Sequence, residues 1–301
     1  MGKQKIRQAS QEASAEMGVR AGSRGQVVKC VAHAIDVLAA IHHADHRCGL
    51  SEIARATQLS KTATYNILTT LVSYGYVERD DAAQYGLGWE LYELGLAVVA
   101  QSAVARAAQP YLESLARELG ETALLGIIEG GSVLYVAQAE PSKTVRMVAG
   151  SGRRSRLNAS ATGRVLLAFA EANYVANYLA AGLTRSTPRT TTDPAELLRA
   201  LDNVRRFGYA VVVGENEPDL SSISVPVRSA SGRVVAALTV AAPTYRFAET
   251  DALAALPRLR DACVLIERKL GRGVGSGRAK QALVASRSGD WARDDVHQGE
   301  A

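Results

Sequence analysis

Residues 50–80 read LSEIARATQLSKTATYNILTTLVSYGYVERD, and this stretch decides the fold. Two short amphipathic segments lie back to back with a brief break between them. In the first, Leu50, Ile53 and Ala54 recur at helical spacing, and Ser51 is placed to cap the start. Thr57, Gln58 and Leu59 form the turn. Ser60 is then the expected N-cap of a second helix that runs to about Tyr74. On that helix Ala63, Thr64, Ile67, Leu68, Leu71 and Val72 fall on one face, the side expected to pack in a core. The opposite face carries Thr62, Asn66, Thr69 and Ser73, with Lys61 and Tyr65 at its margin near the N-terminus.

An amphipathic pair with a polar outer face is often no more than a helical hairpin. Two helices joined by a turn of about three to four residues are also the helix-turn-helix arrangement, whose second helix enters the DNA major groove by its N-terminal residues. Short polar side chains suit base edges: Asn can bond adenine at two points, and Thr can touch a thymine methyl or a phosphate. The next residues favour this second reading. After Gly75, YVERDDAAQYGLGW reads as strand, tight turn and strand, with Tyr76 and Val77 opening one strand, Asp80 to Ala83 turning, and Tyr85 and Leu87 in the return. A helix-turn-helix followed at once by a hairpin is a winged helix, and Arg79 and Gln84 near the wing tip would lie against the sugar–phosphate backbone. The candidate DNA-binding residues are Ser60, Lys61, Thr62, Tyr65, Asn66, Thr69 and Arg79.

The 301 residues suffice for two domains and a sizeable core. No run is apolar for long enough to cross a membrane, and the basic, polar N-terminus lacks the apolar stretch of a signal peptide. Cys30, Cys48 and Cys263 are far apart and odd in number, which fits a reduced cytoplasmic protein rather than a disulfide framework. The net charge of +5 is unevenly spread. Residues 1–25 hold Lys3, Lys5, Arg7, Arg20 and Arg24 against Glu12 and Glu16, so the arm is basic. Residues 26–88 hold Lys29, Arg47, Arg55, Lys61 and Arg79 against Asp36, Asp45, Glu52, Glu78, Asp80 and Asp81, so the winged helix is not. The arm reads either as a source of phosphate neutralisation, each contact steepening the salt dependence, or as an ordinary disordered tail.

Five segments follow: a disordered arm over 1–25, a winged helix over 26–88, a linker helix over 89–102, an α/β region over 103–271 and a flexible tail over 272–301. The winged helix opens with a helix over about Val27 to His42, with Val28, Val31, Ile35, Leu38 and Ile41 on or near one face. The linker, WELYELGLAVVAQ, is apolar on more than one side, as a helix buried by a partner is, so a dimer contact is expected there. In the α/β region a helix bearing Ala108, Leu112, Leu115 and Leu119 stops at Gly120. TALLGII and SVLYVAQA, separated by EGG, form a hairpin. TVRMVA is a third strand, and YAVVVG, SSISVPV and RVVAALTVAAP are three more. SATGRVLLAFA is a helix capped around Ser160. DPAELLRALDNVRRFG is another, with Asp193 as N-cap and Pro194 at the first position. A helix over about Glu249 to Leu270 closes the region. The mixture implies an α+β fold, an antiparallel sheet with helices packed on it. The glycines of GRGVGSG follow no strand, so they do not form a nucleotide loop.

All five histidines, His33, His42, His43, His46 and His297, lie outside residues 47–296, so no Ser-His-Asp or Cys-His pair can form within the α/β region. No cofactor and no catalytic residue is expected. The cluster HHADHRC at 42–48 resembles a metal motif, but it joins two helices of the winged helix, reads as a solvated loop, and lacks a second cluster to complete a tetrahedral set; no metal is expected. The α/β region reads better as a sensor. RRSRLNASATGRVLLA places Asn158, Ser160 and Thr162 where a loop passes into a helix N-terminus, whose free backbone N–H groups favour an anion such as a carboxylate. Ordinary capping explains Ser160 fully. Ser222 and Ser224 alternate with Ile223 and Val225, and Thr239 interrupts AALTVAA, so hydroxyls on one sheet face can orient a small polar ligand.

In this order of parts the chain resembles the IclR family of bacterial transcriptional regulators from about Val27 to Leu270. The resemblance rests on LSEIARATQLSKTATYNILTTLVSYGYV, YGLGWELYELG, PYLESLARELGETALLGI, LNASATGRVLLA, FGYAVVVGENEPDLSSISVPV and GRVVAALTVAAP. It implies an N-terminal winged helix-turn-helix, a linker helix and a C-terminal effector-binding domain of GAF-like/profilin-like α/β form. It further implies a double-stranded DNA operator, a small-molecule effector, and a homodimer or dimer of dimers that activates or represses. The family's pocket positions correspond to Ala161, Thr162, Glu215, Ser222 and Thr239, beside Asn158 and Ser160. The sequence departs from the family at Asn66, where an Arg is usual, at Asn158, where His is frequent, at Val212 to Glu215, where acids are common, and at Ser221 and Ser222, in place of an Arg-Cys pair. The alternative is a GAF-like ligand-binding module whose winged helix serves protein contacts.

Overall fold

The computed structural model describes residues 27–44, 46–142 and 152–273. The basic arm, the TVRMVA strand, the tail from 274 and His297 lie outside the described residues. The described chain divides into two compact units between Val98 and Val99.

The first unit contains α1 (Lys29–His42), β1 (Cys48–Gly49), α2 (Leu50–Thr57), α3 (Lys61–Ser73), β2 (Val77–Arg79) and β3 (Gln84–Leu87). The turn between α2 and α3 is tight because Gln58 takes the left-handed conformation (φ 59°) and its N–H donates to the Ala54 carbonyl. Ser60 caps α3, its hydroxyl accepting from the Ala63 N–H at 3.1 Å. The wing closes through Asp80, whose carboxylate accepts from the Gln84 N–H at 2.8 Å, with Ala83 left-handed at φ 58°. The three strands run in the order β1-β3-β2, all antiparallel. Val37, Ile41, Cys48, Ile53, Leu68, Leu71, Val77 and Tyr85 form the core.

Four expectations for this unit need correction. Ser51 does not cap α2: β1 leads straight into the helix, Gly49 is the N-cap, and Ser51 already lies in the first turn. On α1 the buried positions are Val37 and Ile41, while Val28, Val31 and Ile35 are exposed, so the core face is rotated from the one expected. Val72 of α3 is also exposed. Cys48 is not in a solvated loop. It is 2% exposed and pairs with Tyr85 of the wing.

Helix α4 (Trp89–Gln101) follows the wing and buries none of its residues. The second unit then runs α5 (Ala103–Leu119), β4 (Thr122–Glu129), β5 (Ser132–Ala139), β6 (Arg154–Ser155), α6 (Ala161–Ala168), α7 (Ala172–Ala180), α8 (Pro194–Phe207), β7 (Ala210–Val213), β8 (Leu220–Arg228), β9 (Val234–Pro243) and α9 (Glu249–Gly273). The six strands form one antiparallel sheet in the order β6-β5-β4-β9-β8-β7. Side chains alternate across it. Leu125, Ile223, Val225, Leu238 and Val240 face one way and pack in a core with α5 and α9. Leu124, Ala237 and Ala241 face the other way and pack with α6 and α8. Ser222, Ser224 and Thr239 share this second face, because Ser224 pairs with Thr239 and Ser222 with Ala241. Helix α7 was not expected: ANYVANYLA mixes Asn and Tyr into its apolar positions, and only Val175 is buried.

Candidate functional site

On α3, Lys61, Thr62, Tyr65, Asn66 and Thr69 are all exposed, on the side away from Thr64, Leu68 and Leu71. The Thr69 hydroxyl donates to the Tyr65 carbonyl at 2.9 Å and the Thr70 hydroxyl to the Asn66 carbonyl at 3.0 Å. This back-bonding uses both hydroxyl protons within the helix and leaves the oxygens as acceptors. Among the described residues no hydrogen bond holds the Asn66 amide, so both its donor and its acceptor are available to a base edge. On the wing, Arg79 lies 5.7 Å from the Tyr85 ring centre, which fixes the direction of its stem. Arg47 pairs with Glu78 at 3.1 Å across the wing, between two half-exposed side chains. With Arg47 engaged by Glu78, Lys61 and Arg79 are the positively charged side chains among the candidate DNA-binding residues.

In the second unit one chain of hydroxyl groups runs through the interior. Ser224 of β8 accepts from Thr239 of β9 at 2.8 Å, and Thr239 meets Thr162 of α6 at 2.7 Å. Thr162 meets the Tyr135 hydroxyl at 3.3 Å, Tyr135 meets Ser155 at 3.2 Å, and Ser155 donates to Ser160 at 3.2 Å. Ser160 caps α6 through the Gly163 N–H at 3.0 Å. Burial pushes the Tyr135 phenol up from its ordinary range, only partly offset by Ser155 and Thr162, so it stays neutral and can donate. Two glycines make this geometry possible. A methyl group on Gly126 would lie 2.6 Å from the Thr162 methyl, and one on Gly163 would lie 2.4 Å from the Leu157 backbone. Each allows α6 to sit close to its neighbours. Ala161 is fully buried, and Ser160 takes up the third N–H of the helix; the helix itself supplies no partner for the N–H groups of Ala161 and Thr162.

Around this chain lies a second network. The Arg164 guanidinium donates to the Glu215 carboxylate at 2.5 Å, to the Thr191 hydroxyl at 3.1 Å and to the Asn158 carbonyl at 3.1 Å. Glu215 also accepts from the Thr191 N–H at 2.9 Å. The Asn158 side chain donates to the Thr184 and Thr191 carbonyls and accepts from the Tyr178 hydroxyl at 2.9 Å. Asn158 and Glu215 thus spend their polar atoms inside the protein, tying α6 to the 184–192 segment and to the end of β7. Of the seven residues expected at an effector site, Ser160, Thr162 and Thr239 share the hydroxyl chain, and Ala161 opens the helix beside them. Ser222 sits on the same sheet face, and Asn158 and Glu215 belong to the surrounding network. Sequence reasoning missed Tyr135, Ser155, Tyr178 and Arg164, and did not count Ser224 among the site residues. The signal for Arg164 was present: it is the one charge in the otherwise apolar helix ATGRVLLA.

The comparisons with known proteins agree with this geometry. Residues 30–81 match the IclR helix-turn-helix domain, and residues 96–268 match the C-terminal domain of the bacterial transcriptional regulator IclR. The HTH-type transcriptional regulator BhcR of Paracoccus denitrificans is 34% identical over 227 residues, 75% of this chain and 80% of that protein. Among solved structures, an IclR transcriptional regulator from Alicyclobacillus acidocaldarius is 29% identical with a TM-score of 0.73, covering 82% of this chain and all of the other. An IclR homologue from Microbacterium hydrocarbonoxydans, solved in complex with 4-hydroxybenzoate, is 30% identical with a TM-score of 0.71, covering 80% of this chain and 98% of that one. Its matched domains and its relatives make this chain a DNA-binding transcriptional regulator and not an enzyme, a member of the IclR family.

Proposed function

We propose that the regulator reads a two-fold operator through α3 and changes its DNA affinity when a small organic acid occupies the hydroxyl chain of the second unit. The observation that carries the effector half is the continuous path Ser224–Thr239–Thr162–Tyr135–Ser155–Ser160, which ends at the α6 N-terminus. Hydroxyls that bond one another can re-aim at a ligand without leaving an unpaired polar atom. The carboxylate lies against the Ala161 and Thr162 N–H groups, where the helix dipole favours an anion. Thr239 and Ser222 bond its other polar atoms. Arg164 is already neutralised by Glu215, so the helix and the hydroxyls rather than a free cation hold the acid. The relative solved with 4-hydroxybenzoate supports a carboxylate of this size, aliphatic or aromatic.

Asn66 and Thr62 read base edges, Lys61 and Arg79 contact phosphates, and Ser60, Tyr65 and Thr69 frame them. A second copy of the chain covers the exposed Trp89, Tyr92, Leu94, Leu96 and Val98 of α4, which supports a homodimer or a dimer of dimers. No helix of the described residues is long and apolar enough to cross a membrane, which accords with a cytoplasmic regulator. Calorimetry against a panel of carboxylates, with Thr162→Val and Ser222→Ala beside the wild type, tests the effector site. If an acid binds and both variants bind it unchanged, the site lies elsewhere.

A further inference from the structure

The segment HHADHRC, which the regulator's DNA and effector surfaces do not use, acquires a partner in three dimensions that its spacing does not reveal. His46 lies just before β1, Cys48 in β1, and Glu52 in the first turn of α2. Their ligand atoms, an imidazole nitrogen, the thiol sulfur and a carboxylate oxygen, all lie within 4.8 Å of one another. His46 Nε2 is 3.4 Å from Glu52 Oε1. Among the described residues this is the one such group of three. A tetrahedral zinc ion with bonds of about 2.0–2.3 Å sets its ligand atoms roughly 3.3–3.7 Å apart. The His46–Glu52 separation already matches this, and His46, whose side chain is more than half exposed, is the ligand best placed to turn and bring the wider triangle in.

We infer that His46, Cys48 and Glu52 form a binding site for a thiophilic divalent cation, zinc by preference, with water as the fourth ligand. The donor set selects the metal. One soft sulfur and one imidazole exclude magnesium and calcium, which require oxygen ligands, and a mixed sulfur, nitrogen and oxygen set suits zinc. On binding, the Cys48 thiol releases its proton to solvent and the thiolate takes the metal. Behind Cys48 and Glu52 the wall is apolar, a small recess lined by Ala40, Ala44, Ile53 and Ala56, which keeps bulk water from that side. Placement gives the site a consequence. Cys48 pairs with Tyr85 of the wing strand, and Glu52 belongs to the first helix of the helix-turn-helix. A metal across them pins the passage from β1 into α2, beside the wing strand with which β1 pairs, and so stiffens the element that presents α3 to DNA.

The test uses the full chain, stripped with a chelator, and cobalt(II) as the spectroscopic probe. One cobalt per protomer, with a sulfur-to-metal charge-transfer band, is expected. Zinc should displace it and raise the melting temperature of the winged helix. His46→Ala removes an exposed side chain and leaves the core intact, and should weaken cobalt binding by about tenfold or more; Glu52→Gln should weaken it similarly. Cys48→Ser should lose the charge-transfer band, while Cys30→Ser should keep it. Cobalt bound without a thiolate band, or bound equally by the wild type and His46→Ala, overturns the assignment.

Discussion

The Arg164–Glu215 pair offers a quantitative test of how the second unit is held. Both side chains are nearly buried, 9% and 13% exposed, at 2.5 Å. Glu215→Gln removes the negative charge and leaves the guanidinium with the Asn158 carbonyl and the Thr191 hydroxyl as its acceptors. Breaking a buried pair from one side costs about 3–5 kcal/mol. Gln keeps an oxygen for the Thr191 N–H, and Arg164 keeps two hydrogen bonds, so the lower end, about 3 kcal/mol, is expected. For a unit of this size each kcal/mol moves the melting temperature by roughly 2–4 °C, so the transition should fall by roughly 6–12 °C in scanning calorimetry of the full chain. Arg164→Met should cost a comparable amount, and the double variant Arg164→Met/Glu215→Leu should lose less than the sum of the two, because no lone charge remains buried. A Glu215→Gln protein that melts with the wild type, or strictly additive losses, would refute the reasoning and return Glu215 to the list of ligand-facing groups.

Asn66→Ala should relax sequence preference by about 1–3 kcal/mol at one base position while leaving binding to random DNA unchanged, and an equal loss on operator and random DNA in a gel shift would disprove the base contact. Lys61→Ala should weaken all sequences alike and reduce the salt slope by about one. Ser60→Ala removes the cap of α3 and should cost about 1 kcal/mol in denaturant unfolding of the winged helix. Ala83→Gly, at a left-handed position of the wing turn, should stabilise by about 0.5–1 kcal/mol; a loss of stability instead would mean that the wing turn is not strained at that residue.

The winged helix was largely legible because its signals are local. Ser60, the break at Thr57 to Leu59 and the turn after Arg79 are each set by residues within a few positions of one another, and the structure places the α3 cap and the wing where they were expected. The core face of α1 was misread because Val28, Val31 and Ile35 carry a helical period of their own on a side the unit leaves exposed. Strand β1 escaped notice because two residues cannot show alternation; Gln84 and Tyr85, far along the chain, define it. In the second unit the serines and threonines could be assigned to a sheet face by parity. Their connection through Tyr135 and Ser155 could not, since it joins β5, β6 and α6 across 20 and 27 positions of sequence. Glu215 could not be placed from the sequence for the same reason. Its partner Arg164 is 51 positions away, inside the helix SATGRVLLAFA, where nothing local links the two.

The most direct measurement of the central claim is footprinting of the full chain on the DNA upstream of its own gene, with and without a bound carboxylate. The account predicts protection of a pseudo-palindromic site whose half-sites lie one helical turn, about 34–36 Å, or a multiple of it apart. It also predicts that Asn66→Ala weakens protection of this site relative to random DNA and that the acid shifts occupancy by about 1–3 kcal/mol. Protection of a single asymmetric half-site by a monomer, or a footprint indifferent both to Asn66 and to every acid that binds, would contradict it.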